Sequence, residues 1–273
     1  MGAASATFSG CQAQIAEHVP EKWKPVFGSG HAQRMENPRM FVPLYDDKLD
    51  DPKFYPFVTR ALVGLNVIIF IFFQLPLFNA DPEATIYGYG VTPAALTFDV
   101  PSSHLAIPAE ITFFTYMFLH GGWMHLIGNM LFLWTFGDNV EHATGRLKFL
   151  LFYLSCGVTG GVAHYLANPE STMPLIGASA AIAGVVAAYL MLFPHAKIWV
   201  LLFMRIPLRL SAKWILGAWV VFQFANLLVV SDEQVAWWAH IGGLAAGAIL
   251  IVFLRRPDIP LFAKDVRVIS DVR

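Results

Sequence analysis

Residues 174–190 read PLIGASAAIAGVVAAYL, a run in which one hydroxyl, that of Ser179, sits among alanines, glycines and aliphatic side chains. A membrane-crossing helix needs about 20 mostly apolar residues. The run 177–193 nearly meets that length, and working outward from it finds five more of the same kind: 57–78, 122–136, 147–166, 215–230 and 235–254. The run at 122–136 becomes long enough if its helix continues through GDNVEHA. The expected fold class is therefore an all-α polytopic membrane protein with six spans. The stretch IWVLLFMRIPLRL, 198–210, carries Arg205, Pro207 and Arg209 and reads as an interfacial connector, not a seventh span.

Composition agrees. Of 273 residues, 56% are hydrophobic and 14% charged, with a mean hydropathy of +0.56, whereas soluble domains carry about 25% charge. A formal net charge of -1 gives no reason to expect a nucleic-acid partner. Cys11 lies in a polar tail and Cys156 in an apolar run, so no disulfide framework is implied.

Lysine and arginine placement sets the expected orientation. Seven lie at or before Arg60, and the others fall at Arg146 and Lys148, at Lys197, Arg205, Arg209 and Lys213, and from Arg255 onward. Loop 79–112 has none, nor do NPESTM and SDEQ. All the cations share one side if both termini are cytoplasmic. Residues 1–56 lack an apolar run and are rich in proline and polar residues, so they read as a largely disordered cytoplasmic tail. Residues 57–256 form the membrane domain, and 257–273 a short cytoplasmic tail. Loop 79–112 is long enough to hold structure of its own, and AEITFFTYMFLH is apolar enough to embed partly beside the core.

Ionisable and polar groups inside spans are costly, so each is a functional hypothesis. His125 and Asn129 lie four apart in HGGWMHLIGNM, on one helix face. From the ends of their spans, His125, Asn129 and His240 lie about 5, 10 and 8 Å deep at 1.5 Å per residue. The short run around Ser179 puts that hydroxyl at a similar level, in the outer third. Around it, Ala180, Gly184 and Ala188 form a small-residue stripe, and His240, Gly243 and Gly247 form another. Such stripes let helix backbones approach closely in lipid, which would bring Ser179 within reach of His240. A serine beside a neutral imidazole is the minimum for an activated nucleophile. Asn129, His125 and the Ser179 backbone N–H can supply donors to an oxyanion. No acidic residue lies at this depth, so a Ser–His dyad is expected.

Taken singly, Ser179 and Asn129 are more often interhelical hydrogen-bonding groups than catalysts; only the shared depth and the stripes favour chemistry. His120 reads as structural, Trp237 and Trp238 as an outer aromatic belt, and Glu141 as an anchor with Arg146 in pairing range. No H-E-x-x-H occurs and His120 and His125 are five apart, so no metal is implied. No pair of aspartates falls within the spans.

The segments HGGWMHLIGNM, GDNVEHATG, GASAAIAG and AHIGGLAAG, in this order, resemble the rhomboid family of intramembrane serine proteases, over about Leu44 to Arg256. The resemblance implies a six-helix core of bacterial type with a membrane-embedded first loop, and a place in a bacterial inner membrane. It makes Ser179 the nucleophile, His240 the base, and His125 and Asn129 the oxyanion site. Glu141 and Gly145 match the family's E-x-x-x-G. His120, Glu141, Gly177, Gly243 and Gly247 are assigned structural support. Transmembrane proteins are the implied substrates, the lipid bilayer the medium, and no cofactor is implied. The alternative is a non-catalytic relative that binds transmembrane segments. Three positions depart from the family pattern. Ala180 stands where glycine is common, its methyl expected to face the close helix contact. Ala183 stands where an aromatic often stacks on the histidine. Ile111 and Thr112 fall near the place of a Trp-Arg pair.

Overall fold

A computed structural model of the chain describes residues 41–46, 54–97, 105–202, 206–229 and 236–263. All of these fall within the unit Pro38–Arg273. Helix α1, Phe57–Ile69, continues through a wider turn at Phe70–Gln74. Short helices follow at α2, Pro82–Tyr89, α3, Pro93–Thr97, and α4, Thr112–Thr115. The long helices are α5, Trp123–Thr144, α6, Arg146–Ala167, α7, Ser179–Leu192, α8, Ala212–Val229, and α9, Trp237–Leu254. Among the described residues, Phe57–Gln74, Arg146–Ala167 and Trp237–Leu254 are long and apolar enough to cross a membrane, and α7 is a shorter apolar helix. Helix α5 does continue through GDNVEHA, and its polar groups include His125, Asn129, Asp138, Asn139, Glu141 and His142.

Glycines decide how α6, α7 and α9 meet. A Cβ on Gly243 or Gly247 would overlap the backbone carbonyl of Ala180 or Gly184 respectively, so α9 lies directly against α7. A Cβ on Gly242 would come within 2.6 Å of the Ala163 methyl on α6. Backbone contact of this kind is how helices associate where apolar burial supplies no driving force. The Ala180 methyl meets α6 at Gly160, where a Cβ would come within 2.6 Å both of that methyl and of the Ala239 carbonyl of α9. Gly160 thus accommodates the side chain that Ala180 adds. Phe136, Tyr153 and Tyr189 fill the core around these contacts.

The all-α expectation needs correction: the chain is mostly helical with a three-stranded antiparallel sheet. Strands β1, Phe41–Asp46, β2, Lys197–Leu202, and β3, Ile206–Ser211, pair in the order β1-β2-β3. The segment read as a connector is therefore a hairpin. Its residues alternate as a strand requires, with Ile198 and Val200 buried and Trp199 exposed. The expected tail disorder does not extend to 41–46, which pairs with β2; residues 1–40 and 47–53 lie outside the described residues.

At the end of α5 remote from Ser179, Glu141 is fully buried. It does not serve as the partner suggested for Arg146. Its carboxylate accepts from Val58 N at 3.0 Å, Thr59 N at 2.7 Å and Thr59 Oγ1 at 2.8 Å. It thereby satisfies donors at the start of α1, where helix geometry leaves N–H groups free and a negative charge is favoured. Arg146 instead donates to the Tyr55 carbonyl at 3.2 Å. Glu141→Ala is expected to destabilise the protein by on the order of 3 kcal/mol, since it strands buried donors. The check is the apparent unfolding temperature in detergent; an unchanged value would show that the cap is dispensable.

Candidate active site

Helix α7 begins at Ser179, so the Ser179 N–H has no intrahelical acceptor. The segment leading into it is held by backbone bonds to the long loop and to the turn that follows it. Leu175 and Val91 exchange two hydrogen bonds, at 2.7 and 3.1 Å, and Gly177 N donates to the Tyr116 carbonyl at 2.9 Å. Among its described residues, loop 79–112 thus contains helices and docks, at Val91, on the segment that leads to the serine. The expected embedded segment forms turns at Ala109–Ile111 and Tyr116–Phe118 around α4.

Gly177 has a φ of +119°, a conformation that disfavours any side chain. A Cβ there would come within 2.7 Å of His125 Nε2 and 3.7 Å of Asn129 Nδ2. The glycine therefore lets the α7 entry pass directly beside the polar face of α5. The Asn129 amide nitrogen is buried and has no hydrogen-bond partner among the described residues. Gly121 N approaches His125 Nδ1 at 3.4 Å. With Nδ1 accepting, the ring proton belongs on Nε2, the nitrogen beside Gly177.

His240 comes from the first turn of α9. Its Nε2 lies 2.9 Å from Ser179 Oγ. The glycine stripe on α9 makes this possible, since Gly243 and Gly247 set the helix against α7 on the face that carries His240. The structure thus brings together Ser179, His240, Asn129, His125 and Gly177. His120 lies alongside, its ring edge-on to that of His125 at 5.1 Å between centroids. Its backbone is clasped by the Gln74 amide, which accepts from His120 N and donates to His120 O, each at 2.9 Å. Glu141 stands apart, at the opposite end of α5.

Two further side chains stand at the site that no sequence motif assigns to it. Gln223 of α8 places Oε1 2.8 Å from His240 Nδ1. Trp219, one turn earlier on α8, lies 6.4 Å from the His240 ring with a tilt of 34° and packs against the space beside Ala183. The amides of WVVFQFANLL, Gln223 and Asn226, were the available signal. Trp237, expected in an outer belt, also reaches the site. It meets His240 edge-on at 6.1 Å, and its indole nitrogen is buried. Two tryptophans therefore flank the imidazole where α7 supplies only alanine.

Comparison with known proteins agrees with the four sequence segments. The Rhomboid domain family model matches residues 109–257. The chain belongs to the rhomboid family. It is an integral membrane protein of that family. It is 28% identical to "Rhomboid protease GluP" of Bacillus subtilis, over 77% of this chain and 37% of that protein. It is 27% identical to "Putative rhomboid protease YdcA" of the same organism, over 80% of this chain and 92% of that protein. With "Rhomboid protein 1, mitochondrial" of Saccharomyces cerevisiae it shares 29% identity, over 69% of this chain and 51% of that protein. The chain thus spans about half the length of the yeast relative, less of GluP, and most of YdcA.

Proposed function

We propose that this rhomboid is an intramembrane serine endopeptidase that cleaves transmembrane segments of other membrane proteins. The observation that carries the reading is the 2.9 Å approach of Ser179 Oγ to His240 Nε2, next to a buried amide donor on Asn129 that has no partner among the described residues. Ser179 O–H donates to His240 Nε2. As the oxygen attacks a peptide carbonyl, the proton passes to the imidazole. The developing oxyanion sits near the Ser179 N–H, Asn129 Nδ2 and His125 Nε2. Collapse expels the amine, which takes the proton from His240 and leaves an ester on Ser179. Water, deprotonated by His240, hydrolyses the ester and restores the enzyme. Residues of this chain suffice for each step.

Six spans, with both termini on the cytoplasmic side of a bacterial inner membrane, complete the reading. The confinement of all lysines and arginines to one set of loops supports that orientation. Substrate would enter laterally between helices and water from the outer face. The test is reaction of the full chain, in detergent or nanodiscs, with a fluorophosphonate probe. Wild type should label at Ser179, and Ser179→Ala should not. A folded wild type that never labels would favour the alternative, a rhomboid that binds transmembrane segments without cutting them.

A further inference from the structure

We propose that Gln223 is a positioning residue that fixes the tautomer and orientation of His240, so that α8 supplies the third member of the catalytic relay. The inference rests on the endopeptidase reading above. To accept the serine proton, His240 Nε2 must be unprotonated, which puts the single ring proton on Nδ1. That N–H points away from Ser179 into an apolar bundle, where an unmatched donor is costly. Gln223 Oε1 lies 2.8 Å away and answers it. Gln223 is almost fully buried, so water does not compete for the bond.

The choice of an amide has consequences. A carboxylate at this depth would be a buried charge whenever the imidazole is neutral, which is costly inside a membrane. An amide orients the ring without that charge. It must also present its oxygen: an amide that turned its NH₂ to Nδ1 would impose the opposite tautomer, an error that costs about 10⁴-fold when asparagine replaces aspartate in a serine-protease triad. Position is set by α8 as a whole. Trp219 and Gln223 are four apart on one face, and Trp219 packs with Ala183, Ala187 and Leu244. The tryptophan seats the helix and the glutamine reaches the ring. Together they take over the orienting task for which α7, with Ala183, has no side chain.

The test uses the full chain labelled with ¹⁵N-histidine in nanodiscs, with His240 identified by its loss in His240→Ala. Wild type should show His240 with Nδ1 protonated and Nε2 of pyridine type. Gln223→Met, close in shape but without an acceptor, should lose that preference and slow fluorophosphonate labelling of Ser179 by about 10²-fold. Gln223→Glu, which restores an acceptor, should recover labelling to within tenfold of wild type. A packing role alone would predict the reverse order, with methionine tolerated and glutamate not. An Nε2-protonated ring in wild type, or a ring signature and labelling rate unchanged in Gln223→Met, would overturn the proposal. The wild-type signature keeps the test decisive even where Gln223→Met fails to fold. A correctly protonated ring in a wild type that never labels would instead defeat the endopeptidase reading and leave the positioning role standing.

Discussion

Replacing His240 by alanine is expected to slow acylation of Ser179 by at least about 10⁴-fold, with little change in fold. The magnitude follows from what the imidazole does. Serine is a poor nucleophile at its own pKa, and His240 Nε2 is the group placed to take its proton, at 2.9 Å. Loss of the base alone in a serine protease costs nearly as much as loss of the whole catalytic set, because the members act as one unit. The double variant Ser179→Ala/His240→Ala should therefore be no worse than either single one. Asn129→Ala should behave differently. It removes one of several oxyanion donors and is expected to lower kcat by about 10²- to 10³-fold, with KM nearly unchanged. Single-turnover labelling and cleavage of a transmembrane substrate would measure both. Cleavage at the wild-type rate by Ser179→Ala would sink the mechanism, and equal losses for Asn129→Ala and His240→Ala would sink this division of roles.

The parts that sequence made legible share one property: each is a short-range pattern with a physical cost if it is accidental. A glycine at every helical turn forgoes packing and helix propensity, so Gly243 and Gly247 announced a close partner before the partner was known. A histidine in an apolar run is costly unless used, which drew attention to His240 and His125. Helix α5 could be extended through GDNVEHA because a shorter span would not cross.

What remained hidden depends on rotation about a helix axis or on distant pairing. Nothing in the spacing says that the Ala180 methyl meets Gly160 of α6. Trp237 suited a membrane boundary by composition, and nothing in that reading says that its ring also meets His240. Glu141 had Arg146 nearby in sequence, but its donors come from the start of α1, more than eighty residues earlier. The hairpin at β2 and β3 was obscured because a continuous apolar run fits a strand, an interfacial segment or a helix about equally well until its pairing is known. The role of Gln223 is hidden for a similar reason. A single amide in a span is usually interhelical hydrogen-bonding, and only the three-dimensional placement of α8 says which ring it meets.

The second large effect expected concerns Gly243, three residues beyond His240. Gly243→Val should abolish measurable labelling of Ser179 while leaving both Ser179 and His240 chemically intact. A side chain at 243 would overlap the Ala180 carbonyl, with the Ala180 Cα only 3.3 Å away. These are backbone atoms within the first turn of α7, so no rotamer change relieves the overlap. The helices must separate, or α9 must rotate. Either carries His240 away from Ser179, and a displacement near 1 Å is enough to cost about 10²-fold where geometry is stringent. Overpacking also costs roughly 1–3 kcal/mol, so the apparent unfolding temperature should fall. Gly247→Ala, one turn deeper against Gly184, should act in the same direction through the same contact. Gly64→Ala on α1 is the matched control. A Cβ there meets nothing within 4 Å, and alanine is the better helix former by about 1 kcal/mol, so activity and stability should hold or rise. Wild-type labelling by Gly243→Val would mean that α7 and α9 do not touch as described, and the approach of Ser179 to His240 would lose its structural cause.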